Sequence, residues 1–159
     1  MTVAMRDACL IAYVVLTIFV LGVSYIHSFQ DYPQWARTAE VITREQFVLL
    51  RQGQWAIYAV GVVPGIAAIV LNVVSLIWPS PGVSRLLIFL TFVLNVAVLG
   101  ATIVVIVPIL EVIDSGGYTR QTFQDLIFND FWRRQVPGTL SGLIAIMILW
   151  QAIRHRSAA

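Results

Sequence analysis

The chain alternates long uncharged runs with short polar connections. Between Asp7 and Asp31 lie 23 uncharged residues, between Arg51 and Arg85 33, between Arg85 and Glu111 25, and between Arg134 and Arg154 19. A helix needs about 20 residues to cross the hydrocarbon core of a bilayer. Each run therefore predicts one span, the longest being too short for two. Trp55 and Trp78 bracket the apolar part of that longest run as interface anchors, and Pro79-Ser80-Pro81-Gly82 follows as a tight turn. The pattern predicts four transmembrane helices, about 8–29, 54–78, 86–110 and 136–153. Together they form an all-α four-helix bundle, a single membrane domain over 1–159.

The two long connections carry patterns of their own. Thr43-Arg44-Glu45-Gln46 fits a capping box, which starts a helix near Thr43 that rises toward the membrane. In 119–134, Phe123, Leu126, Ile127 and Phe131 recur at helical spacing. They predict a short amphipathic helix on the membrane surface or capping the bundle. Asp114-Ser115-Gly116-Gly117 reads as the stop of the third span, with glycine in the left-handed cap.

Composition makes the membrane assignment firm. Hydrophobic residues are 59% of the 159 and charged residues only 11%, with a mean hydropathy of +0.86. A water-soluble domain of this size carries about 25% charged residues. A net charge of +2 gives no grip on a polyanion, so no nucleic-acid partner is expected. All ten basic residues are arginine, which removes lysine-based chemistry. Cys9 is the only cysteine, and His27 and His155 are the only histidines, so no metal site is expected.

Arginine placement sets the expected orientation. Arg6, Arg85, Arg154 and Arg156 flank the termini and the 79–85 turn, against Asp7 alone. The long connections hold six arginines against seven acids, but over about twice the length. The rule that cytoplasmic segments are rich in arginine weighs short membrane-adjacent segments, which puts both termini in the cytoplasm of the inner (plasma) membrane. The apolar run behind Arg6 is longer than a secretion-signal core, and the first helix reads as an uncleaved anchor.

Few residues offer chemistry. His27, near the outer end of the first span, is a candidate ligand for a pigment or haem, or a proton carrier. Its plainer role is a hydrogen bond to a loop carbonyl or neighbouring carboxylate. His27, Gln54, Glu111 and Arg134 fall near one level at the outer interface, with Asn129, Asp130 and Arg133 close by. A carboxylate beside a histidine and an arginine is a candidate acid/base or headgroup site. The same groups also serve to stitch emerging helices together.

Deeper in the membrane, Asn72 and Asn95 are placed to hydrogen-bond between the second and third spans. Gly61-x-x-x-Gly65 and Gly138-x-x-x-Gly142 provide close helix packing, within the chain or between copies. Pro64 and Pro108 are expected to kink their helices and open space for an apolar ligand. No span carries an acid or arginine at its middle, which argues against an ion channel or a proton-driven transporter.

Tyr32-Pro33-x-Trp35, Phe47, Val107-Pro108 and Asn129-Asp130-Phe131-Trp132-Arg133-Arg134 together resemble a bacterial four-transmembrane-helix family of unknown function that includes anthrone-oxygenase-like proteins. The resemblance implies the same four-helix layout. Members of that family often carry a histidine after the first-loop phenylalanine and another after the Val-Pro. Here those stretches read Val48-Leu49-Leu50-Arg51 and Ile109-Leu110-Glu111, so the resemblance implies fold more than oxygenase chemistry.

Two functions follow as expectations. The first is a non-catalytic membrane protein, an accessory or stabilising subunit of a larger complex or a self-associating bundle, that holds a lipid, quinone or pigment. The alternative is a small membrane oxidoreductase or oxygenase acting on an aromatic substrate near the outer interface through His27, Glu111 and Arg134.

Overall fold

In lipid every backbone N–H and C=O must find its partner within the segment itself, so uncharged runs of this length fold as helices. The computed structural model describes residues 1–52 and 55–157, side chains excepted at 55–59. Its helices are α1 (Val3–Thr38), α2 (Arg44–Gln52), α3 (Trp55–Ile77), α4 (Arg85–Asp114) and α5 (Arg120–Ser157). All but α2 are long and apolar enough to cross a membrane. Only 11–28% of each apolar window is buried, so most of that surface faces outward and requires a bilayer as its solvent. The chain is a multi-pass membrane protein built as a four-helix bundle.

The long helices run past their predicted ends. α1 continues from Ile26 to Thr38, α4 reaches Asp114, and the predicted 119–134 helix and 136–153 span are one element, α5. In each, a wide π-turn carries the helix onward: His27–Asp31, Thr102–Ile106 and Phe131–Gln135. The N–H groups of Tyr32, Val107 and Val136 donate five residues back, to His27, Thr102 and Phe131. Pro33, Pro108 and Pro137 come next. In a regular helix a proline ring collides with the carbonyl four residues back. Widening the turn moves that carbonyl away, and the helix passes through the proline instead of stopping. α3 runs through Pro64 as α-helix.

The predicted punctuation is present. Thr43 and Gln46 form the capping box, with the Gln46 N–H donating to Thr43 Oγ1 at 3.3 Å and the Thr43 N–H to Gln46 Oε1 at 3.1 Å. In the same turn, hydrogen bonds from the Glu45 backbone N–H and the Thr43 side chain hold the Glu45 carboxyl below its usual range. α4 ends in a Schellman motif: Gly116 takes φ +77°, and the Gly117 N–H donates to the Val112 carbonyl at 3.0 Å. Gly82, at φ +76°, closes the Pro-rich turn against His155, whose ring leaves no room for a Cβ. Asp7 pairs with Arg156, and the Ser84 N–H donates to Gln151 Oε1 at 3.0 Å. The termini and the 79–85 turn therefore meet at one end of the bundle.

Both glycine pairs face α1. A Cβ on Gly61 would lie 3.4 Å from Val23, and one on Gly142 3.0 Å from Leu21. Gly65 and Gly138 likewise sit against Val20 and Leu21. The strips are used within the chain, α3 and α5 each closing on α1. The asparagines do not bond to each other. Asn72 donates to Thr91 Oγ1 at 2.8 Å, and Asn95 accepts from Ser141 Oγ at 2.8 Å. Thr91 lies one turn below Asn95 on α4, at the level Asn72 reaches; the one-turn difference in depth keeps the two amides apart.

Two hydrophobic clusters hold the bundle. One, called inner because it lies at the end where the termini meet, centres on Leu10, Tyr13, Ile88, Ala145 and Ile148. The outer one gathers Tyr32, Trp35, Phe47, Ile106, Ile113, Tyr118, Phe123 and Leu126 into a cap over the helix ends. Phe123 and Leu126 thus cap the bundle, while Phe131 is 38% exposed and packs edge-on with Phe29 and Trp132.

Candidate functional site

Between the two clusters the helices stand apart around a cavity of about 240 Å³. Its walls are apolar: Val20 and Leu21 of α1, Gly61 and Gly65 of α3, and Val98, Leu99 and Ile106 of α4. Polar groups reach it at two levels. Thr17 and Asn95 lie toward the inner end, with Thr102 further out on α4. Ser24, His27, Tyr32, Arg51, Glu111 and Arg134 stand at the outer end. The three π-turns cluster at that outer level and supply His27, Thr102, Ile106 and Arg134 to the lining.

The outer groups are tied into a network. Asp130 is fully buried, pairs with Arg134 Nη1 at 2.7 Å, and accepts from Ser28 Oγ and from Gln135 Nε2 at 3.2 Å. Arg134 also donates to Ser24 Oγ at 3.2 Å and Tyr32 OH at 3.4 Å. Gln135 Nε2 reaches the Ser24 carbonyl at 3.0 Å. His27 Nδ1 lies 2.6 Å from Asp31 Oδ2, one turn on, and its ring stacks near Tyr32. Arg51 is 1% exposed; its Nε and Nη2 sit 2.9 and 2.8 Å from Asp114 Oδ1, and its guanidinium lies 3.8 Å over the Trp35 ring.

Three residues on the cavity wall outside this network carry a polar group without a partner among the described residues. Glu111 is exposed, and its side chain makes no hydrogen bond or ion pair among the described residues. At the inner end, Thr17 Oγ1 and Asn95 Nδ2 are buried without a hydrogen-bond partner. Burying such a group unpaired costs about 1–3 kcal/mol, so each would gain from a partner supplied by a ligand or water.

His27, Glu111 and Arg134 line one cavity. The carboxylate held by His27 is Asp31 rather than Glu111. Asn129 bonds to the Asp125 carbonyl of its own helix at 2.8 Å, Arg133 is exposed, and neither lines the cavity. Gln54 and the Trp55 side chain lie outside the described residues. Ser24, Tyr32, Arg51 and Asn95 are lining residues that the sequence pattern did not mark for this site. Tyr32 stands at one of the three X-Pro steps, a signal the sequence carries; Ser24, Arg51 and Asn95 have no such local mark. Among the described residues no group of three or more His, Cys, Asp or Glu gathers that could hold a metal ion.

The fold and site define a multi-pass membrane bundle with an apolar cavity that is polar at both ends. Comparison of the chain with known protein families, with curated proteins and with solved structures finds no match.

Proposed function

We propose that this is a non-catalytic integral membrane protein that holds a lipid, quinone or pigment between its helices, alone or as an accessory subunit of a larger membrane assembly. The cavity carries this reading. Protein interiors are close-packed, and a mostly apolar cavity of about 240 Å³ with a few polar groups at its ends has the form of a small-molecule site. Val62 and Ile66, each about half exposed, line both the cavity and the lipid-facing surface, so an apolar molecule can enter sideways from the bilayer. The use of both glycine strips against α1 turns the proposal away from self-association through them. Arginine density supports a cytoplasmic side for the termini and the 79–85 turn, with the polar end of the cavity on the outer side of the plasma membrane.

The test is purification from the native membrane in mild detergent, with mass spectrometry and an absorption spectrum of whatever co-elutes. One small apolar molecule per chain is expected, and Val98→Phe, which adds a ring to the cavity wall, should lower its retention at least about tenfold. A chain that elutes with nothing bound sinks the proposal, and a stoichiometric protein partner supports the accessory role.

A second reading, a membrane oxidoreductase acting on an aromatic substrate, is favoured by one observation. Asp31 holds Nδ1 of a histidine that lines the cavity, which is how an imidazole is oriented for proton transfer. Under this reading His27→Ala abolishes turnover of the co-purified molecule while leaving its retention intact.

A further inference from the structure

We infer that the cavity selects a single-chain amphiphile whose polar end donates hydrogen bonds and carries no negative charge, and that Glu111 makes the selection. This rests on the reading that the cavity is a ligand site. Its shape sets the first criterion. Asn95 and Glu111 both line it, and they are 16 residues apart on α4, about 24 Å along the axis. A cavity of about 240 Å³ lined over that length accepts an extended hydrocarbon chain along the helix axis.

Charge sets the second criterion. Two arginines on the wall invite an anionic headgroup, but each already faces a carboxylate, Arg51 with Asp114 and Arg134 with Asp130. His27 faces Asp31. Counting the lining groups and these partners, two arginines stand against four carboxylates, and the balance is negative in either form of His27. Glu111 is the lining carboxylate with no partner of its own among the described residues. A hydroxyl or ammonium end gives it one. An anionic end would add a like charge beside it.

The experiment compares three probes of equal chain length, 1-hexadecanol, hexadecylamine and hexadecanoate, by native mass spectrometry of the full chain at neutral pH. Wild type should bind the alcohol and the amine at least about tenfold more tightly than hexadecanoate. Glu111→Gln keeps an acceptor but removes the charge; because Glu111 is exposed, the fold should survive, as circular dichroism would show. In that variant the amine should weaken and hexadecanoate strengthen, shrinking their ratio about tenfold or more, while the alcohol stays bound. Hexadecanoate binding wild type as well as the alcohol, or a ratio unmoved by Glu111→Gln, overturns the assignment of Glu111 alone. Failure of wild type to bind any of the three, together with no co-purified molecule, overturns the ligand-holding reading itself.

Discussion

Asp130 has no exposed surface and is held by the Arg134 guanidinium, the Ser28 hydroxyl and the Gln135 amide. Removing the arginine leaves a buried carboxylate with neutral donors only, a loss that typically costs about 3–5 kcal/mol. Arg134→Ala should therefore lower stability by about that amount in thermal or denaturant unfolding in micelles. Arg133, the neighbouring residue, offers an internal contrast. Its side chain is exposed and makes no ion pair among the described residues, and exposed charges contribute about 1 kcal/mol or less. Arg133→Ala should then be nearly silent in the same assay. Equal losses in the two variants would mean that Asp130 does not depend on its counter-charge. The sequence placed Asp130 and Arg134 near one level at the mouth of a span, and their i, i+4 spacing is that of a helical ion pair. Ser28 was not legible in this way, because it lies 102 residues from Asp130 and nothing in its local pattern aims it there.

The π-turns act at the scale of the element. Each inserts the equivalent of one residue, so the helix beyond it is rotated by about 100° relative to a regular continuation. In α4 this lets one helix present Ile88 and Thr91 to the inner core and Ile106 and Ile113 to the outer one. If the turn is a register device, deleting one of its residues and the proline that requires it should restore a plain α-helix. Val104, 74% exposed within Thr102–Ile106, is the residue to remove. The deletion combined with Pro108→Ala should fold and stay within about 1 kcal/mol of wild type by circular dichroism melts. Deleting Val93 in the regular part of α4, with the same proline change, rotates one buried face away from its partners and should cost more than about 4 kcal/mol. Similar losses for the two deletions would refute the register role. Sequence reading found the four spans, because charge-free length is a local property. It ended the spans at Phe29 and Leu110 and started the last at Val136, because the charges at Asp31, Glu111 and Arg134 bound the uncharged runs, whereas the helices continue past them. Whether a proline ends a helix or is carried through by a wide turn depends on what the continuing helix packs against. Here that is the cap around Phe47 and Tyr118, assembled from segments the local pattern does not connect.

Across the whole molecule the inner and outer ends differ in kind. The inner end is short: Asp7 with Arg156, the Gly82 turn under His155, and Ser84 on Gln151. The outer end carries α2 and the extensions of α1, α4 and α5, packed into a second core above the cavity. That asymmetry has a functional consequence for the proposed ligand site. A molecule entering from the bilayer would present its polar end to whichever compartment lies above the cap, so the side on which the cap stands decides where the head is sampled. Under the orientation proposed from the arginines of the short segments, the cap stands on the outer face. In a Cys9→Ser background, a cysteine at Gln121, exposed at the start of α5, and one at Ser157, exposed at its end, report the two faces. A membrane-impermeant maleimide added to intact cells should label Gln121→Cys at once and Ser157→Cys only after the membrane is opened. The reverse pattern would place the cap and Glu111 in the cytoplasm. The cavity's ligand chemistry would then still hold, but its head would be read from inside the cell.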